Sequence, residues 1–201
     1  MQGATQEVSD PSPLLRLKLQ PEDLPRLATL LQAGFYITAV EGDSVSSVLQ
    51  RLPGFTPEYI ERDVQTIFLN GTAIDDLSVP LTGSSAVIAL SAAMPGLAGA
   101  ILRKNSPHAS LRQPFIGGRR TTTGSPLAVQ IKLFNQLAVE RGPELCRAGV
   151  SVKASELTSF FRLRPALVQE LQHISLDGAP VTVAELLDRL SSKDLVTMRA
   201  A

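Results

Sequence analysis

Leu14-Leu15-Arg16-Leu17-Lys18-Leu19 and Ala128-Val129-Gln130-Ile131-Lys132-Leu133 share one alternation of apolar and polar side chains, and the segments after them match as well. Alternation of period two marks a strand with one buried face. Further on, Leu30-Leu31-Gln32-Ala33-Gly34-Phe35-Tyr36-Ile37 aligns with Leu145-Cys146-Arg147-Ala148-Gly149-Val150-Ser151-Val152, keeping the glycine and the alternation behind it. Asp43 to Leu49 aligns with Ser155 to Phe161, where a polar N-cap candidate precedes apolar residues at helical spacing. Each of these helices is expected to end at a proline, Pro53 or Pro165. Val64 to Gly71 aligns with Leu171 to Gly178, ending in Asn70-Gly71 and Asp177-Gly178, which are tight-turn pairs. A closing strand, Val87-Ile88-Ala89-Leu90, aligns with Leu195-Val196-Thr197-Met198. Five elements recurring in one order predict a tandem duplication, with a longer loop over Gly54 to Asp63 as the largest difference. A chain of 201 residues then divides into two small domains rather than one large one.

The expected boundaries are a first domain over 13–103, a linker over 104–126 and a second domain over 127–201. The linker holds Ser, Thr, Gly and Pro, four basic residues (Lys104, Arg112, Arg119, Arg120) and no acidic one, which reads as an exposed connection. Charge is uneven along the chain although 19 basic and 19 acidic residues cancel. Residues 1–103 carry 6 basic and 11 acidic side chains, the linker 4 and none, and residues 127–201 carry 9 and 8. The acidic first half and the basic linker can lie against each other, meet separate partners, or be solvated surface. A zero sum argues against binding nucleic acid by overall electrostatics, and 44% apolar content argues against disorder of the whole chain.

The order of elements, with Phe68-Leu69-Asn70-Gly71 and the later run from Val79 through Leu81-Thr82-Gly83 to Leu90, resembles the ubiquitin-like β-grasp family. The nearest likeness is to its small sulfur carriers, the molybdopterin synthase small subunit and the thiamine-biosynthesis carrier. The resemblance covers residues 14–99 and 127–201. It implies an α+β fold of two tandem β-grasp domains, each a mixed sheet with a packed helix. It also implies a carrier tail, a terminal Gly-Gly whose carboxylate an adenylating activating enzyme charges before sulfur replaces an oxygen. Here the chain departs from the family. The second copy closes on Met198-Arg199-Ala200-Ala201 without glycine, and the first runs from Met94-Pro95-Gly96-Leu97-Ala98-Gly99 straight into Ala100. Gly96 and Gly99 are therefore read either as a degenerate tail or as a turn after the strand. Gly117-Gly118 before Arg119-Arg120 mimics a processing site, but lies more than 25 residues beyond Leu90, and a glycine pair in a linker explains it.

Other reactive side chains have ordinary explanations. Cys146, the one cysteine, stands where the first copy has Leu31 and is expected to be buried; it cannot close an intrachain disulfide. His108 falls in the linker and His173 on the solvent side of an alternating strand, so no Cys/His zinc set can be assembled from them. Asp75-Asp76 follow a tight turn, where acidic residues are common. No phosphate loop or metalloprotease helix occurs. The first ten residues lack a basic, apolar leader, and Ser84 to Ile101 is interrupted by Pro95-Gly96, making it a poor membrane span. The expectation is a cytoplasmic, non-catalytic binding or scaffold protein without a cofactor, acting on a protein partner. The alternative is a precursor of a sulfur carrier or modifier, cleaved near Gly99 and handed to an activating enzyme.

Overall fold

The computed structural model describes residues 12–115 and 124–201. Each alternating stretch forms a strand. In the first half these are β1 (Leu14–Lys18), β2 (Phe35–Val40), β3 (Thr66–Leu69), β4 (Thr72–Ala73) and β5 (Ser85–Ser91). In the second half they are β6 (Pro126–Phe134), β7 (Val150–Lys153), β8 (His173–Leu176), β9 (Ala179–Pro180) and β10 (Leu195–Ala200). Helices α1 (Ala28–Ala33), α2 (Val45–Leu49), α3 (Pro57–Arg62) and α4 (Gly96–Leu102) belong to the first half, with a 3-10 turn at Pro21–Leu27 before α1. Helices α5 (Gln136–Ala148), α6 (Ala154–Arg162), α7 (Pro165–Glu170) and α8 (Val183–Leu190) belong to the second.

The chain is α+β, and its ten described strands join in a single mixed sheet in the order β4-β3-β5-β6-β2-β7-β10-β1-β8-β9. Central strands cross between the halves. β1 runs parallel to β10 and antiparallel to β8, whereas β6 runs parallel to β5 and antiparallel to β2. Each side of the sheet therefore has the same arrangement: an inner antiparallel strand, a parallel pair, an antiparallel strand and a short hairpin. The two sides meet at β2 and β7, which touch through the single pair Tyr36 and Ser151 before they splay.

One face of the sheet carries the core. Leu15 and Leu17, Phe35 and Ala39, Ile88 and Leu90, Val129 and Ile131, Val152, Val196 and Met198 all point to it and are buried. The helices cover this face, and one continuous apolar cluster runs beneath them. α1 and α5 approach closely because Gly142 presents no side chain; a Cβ there would stand 3.2 Å from Leu31 Cδ1. Burying an aliphatic side chain contributes about 1.5–3 kcal/mol, so this layer supplies the main stabilising term.

Two segments differ from the sequence expectations. The stretch Gly54 to Asp63, read as a loop, contains α3, opened by Thr56, whose side chain accepts from the Tyr59 amide, and by Pro57 at the first helical position. Between β9 and β10, where a turn was expected to lead to the closing strand, the chain forms α8. Residues 104–115 lie against the first half. Lys104 Nζ donates to the carbonyls of Ile60 and Glu61 at 3.0 Å each, and the Arg112 guanidinium pairs with Asp75 at 2.8 Å. Their side chains are only 6% and 7% exposed, so two of the four cations of the expected linker over 104–126 meet the acidic half.

Candidate functional site

Gly96 and Gly99 lie in α4. Gly96 opens the helix at φ 76°, and Gly99 is buried so tightly that a Cβ would fall 1.9 Å from the carbonyl oxygen of Met94. The Arg103 amide closes the helix on the Gly99 carbonyl, and Arg112 holds the segment by donating to the carbonyls of Ile101 and Arg103. An extended tail at this position requires α4 to unwind. Gly117 and Gly118, with Arg119 and Arg120, lie outside the described residues.

Cys146 is completely buried on α5, and burial pushes its thiol up to about 12, since a thiolate there would lose its water. A nucleophile needs the opposite environment. His173 is exposed on β8, and the His108 amide donates to Ser106 Oγ in the stretch after α4. Asp75 receives Arg112 and the Asn105 amide, and the Ser78 side chain, followed by the Ser78 amide, holds the Asp76 carboxyl below the usual range. The two carboxylates are thus occupied in turn and ion-pair contacts. Among the described residues, no three His, Cys, Asp or Glu side chains come together as a metal site. No helix among them is long and apolar enough to cross a membrane.

Several clefts open among the described residues, and two of them lie beside the strands and turns discussed above. One, about 520 Å³, lies where β2 and β7 splay and is lined by Tyr36, Thr38, Arg51, Pro53, Leu145 and Ser151, among others. Its guanidinium, Arg51, is already paired with Asp43 at 2.5 Å. The other, about 560 Å³, lies beside β4 between Asp75, Asp76 and Val79 on one side and Arg112 and Phe115 on the other. Neither lining contains a nucleophile beside a base, so their residues suit contact rather than covalent chemistry.

The largest feature left is the second face of the sheet. Bridge partners share a face, and the registers place Gln130, Tyr36, Ser151 and Thr197 in one row across four strands of it. Ser151 and Thr197 hydroxyls pair at 3.1 Å, and Lys153 Nζ lies 6.0 Å from the centre of the Tyr36 ring. The two outermost strands, β4 and β9, have two residues each, and β9 ends on Pro180, which has no amide to donate. Edges this short are poor templates for a further strand, whereas the open face is broad.

Comparison with known proteins returned no matching family model, no curated protein and no solved structure.

Proposed function

We propose that this chain is a non-catalytic binding or scaffold protein of ubiquitin-like type, built from two β-grasp units related to sulfur carriers, and that it docks a protein partner on the open face of its sheet. The single observation that carries this reading is the one-sided covering of the sheet: helices lie on one face, and half-exposed polar side chains make up much of the other. The recurring order of elements supports two related units, with central strands exchanged between them. The burial of Gly99 inside α4 favours docking over a carrier tail at this position. The buried, proton-retaining Cys146 gives no support to thiol catalysis.

Affinity capture from native extract, followed by mass spectrometry, tests the reading. The expected outcome is a stable complex with a protein other than an adenylating enzyme. Intact mass of the chain from its own host supplies the opposing result: a product ending at Gly99 with an oxygen replaced by sulfur makes it a carrier precursor.

A further inference from the structure

None of the ten described strands contains an acidic residue, yet they hold Arg16, Lys18, Lys132, Lys153 and Arg199, together with His173. All five cations point to the open face. Lys132 shares a face with Ala89, Lys153 with Leu195, Arg199 with Arg16, and Lys18 with His173, in rows that alternate with the buried ones. Every described Asp and Glu lies instead in a helix, a turn or a loop. The zero net charge is therefore also a separation between layers, with a sheet face of one sign.

Cations elsewhere on the molecule are frequently neutralised by partners: Arg26, Arg51, Arg62, Lys104, Arg112 and Arg141 all pair with carboxylates. No such ion pair involves the five sheet cations among the described residues. They run from β6 to β1, four strand spacings or roughly 19 Å. Two positions on the face are shaped by glycines. Arg199 lies over Gly149, where a Cβ would come 3.0 Å from its Nε, and Gln130 lies over Gly34 and donates to the Ala33 carbonyl at 3.1 Å. Both glycines have φ above 100°, so these cradles are costly to fill.

We infer that the open sheet face binds an acidic polypeptide segment, with Arg16, Lys18, Lys132, Lys153 and Arg199 as its carboxylate-binding residues. This rests on the docking function proposed above and names the chemistry of the partner. Guanidinium and ammonium groups match carboxylates, and the hydroxyls and amide of Ser151, Thr197 and Gln130 supply polar contacts between them. Single-stranded nucleic acid fits less well. A stacking platform interleaves several exposed rings with its cations; here Tyr36 is half-buried, and the exposed Phe134 stands at the end of β6 beside Lys132 rather than between the cations.

Fluorescence anisotropy at low salt, with labelled decaglutamate and labelled decathymidylate as probes, tests the inference. Decaglutamate should bind the more tightly, and the double variant Arg16→Glu/Lys153→Glu should weaken it by about tenfold or more. The double variant Arg103→Glu/Arg189→Glu makes the same charge change away from the sheet and should leave binding within about twofold of wild type. Circular dichroism of both variants confirms that they are folded. The inference is overturned if decaglutamate does not bind, if decathymidylate binds as tightly or more so, or if both variants lose affinity equally. It also falls if the variant with reversed sheet charge recovers the same protein partner from extract as wild type does. In that case docking stands and its proposed chemistry fails.

Discussion

The thiol of Cys146 keeps its proton because no water reaches it, and this links one residue to the alkaline limit of the fold. Its ordinary value is 9.0 and burial raises it to about 12. Between those pH values the folded protein holds a proton that the unfolded chain has released. The contribution to stability is thus complete below about pH 9 and is lost as pH rises to about 12. A displacement of about three pH units corresponds to roughly 4 kcal/mol. Cys146→Val should therefore lose less stability than wild type across this window, measured by urea unfolding at successive pH values; parallel curves would refute it. Ellman's reagent should leave the native thiol untouched and label it on unfolding. A second residue-scale prediction concerns Gly34 and Gly149. Gly34→Ala puts a Cβ at 2.6 Å from Gln130 Nε2 in a backbone conformation at φ 118°, and should destabilise by about 1–3 kcal/mol, read from denaturant midpoints. The corresponding change at Gly149, beside the longer Arg199 side chain, should behave alike.

Among the elements, α8 depends most visibly on its cap. Thr182 Oγ1 accepts from the Glu185 amide at 3.2 Å, and Glu185 Oε2 accepts from the Thr182 amide at 2.7 Å, a reciprocal box that satisfies two otherwise free donors. Thr182→Ala should cost about 1 kcal/mol in urea unfolding. The Thr182 amide also holds the Glu185 carboxyl below its ordinary value, so its contribution is present above the unfolded pKa and lost as acid titrates the folded carboxylate. Stability of Glu185→Gln should accordingly be less sensitive to acid than wild type. Thr182-Val183-Ala184-Glu185 is a legible helix start, as is Thr56-Pro57 before α3, yet repeat alignment directs attention to strands and passes over both. The sheet cations show the same effect. Charge counted along the chain finds an acidic half and a basic linker, whereas charge counted by strand finds one basic face.

At the scale of the whole molecule, β1 and β6 determine how the chain unfolds. Each is a central strand beside partners from the other half, and Leu15, Leu17, Val129 and Ile131 are buried on them. A fragment over residues 12–115 lacks β6 between β5 and β2, and one over 124–201 lacks β1 between β10 and β8. Expressed separately, each should give poorly dispersed amide spectra, and mixing them should restore the dispersion. The full chain should unfold in one transition by both far-ultraviolet circular dichroism and tyrosine fluorescence. Two separated transitions would show that the halves hold together without the shared strands.

Strand positions, the face each strand residue occupies, the glycines before β2 and β7 and the apolar slot filled by Cys146 were determined by the sequence itself. These follow from the two-residue alternation of side chains and from the local demands of positive φ and burial. Only the tertiary structure decided which strands are neighbours, that α4 encloses Gly99, and that cations distant in sequence share one surface. Backbone hydrogen bonds carry no residue identity, so alternation fixes the side on which a lysine lies but not the strand beside it. That pairing is settled when the helices close over a single apolar face, and with it the open, basic face that remains.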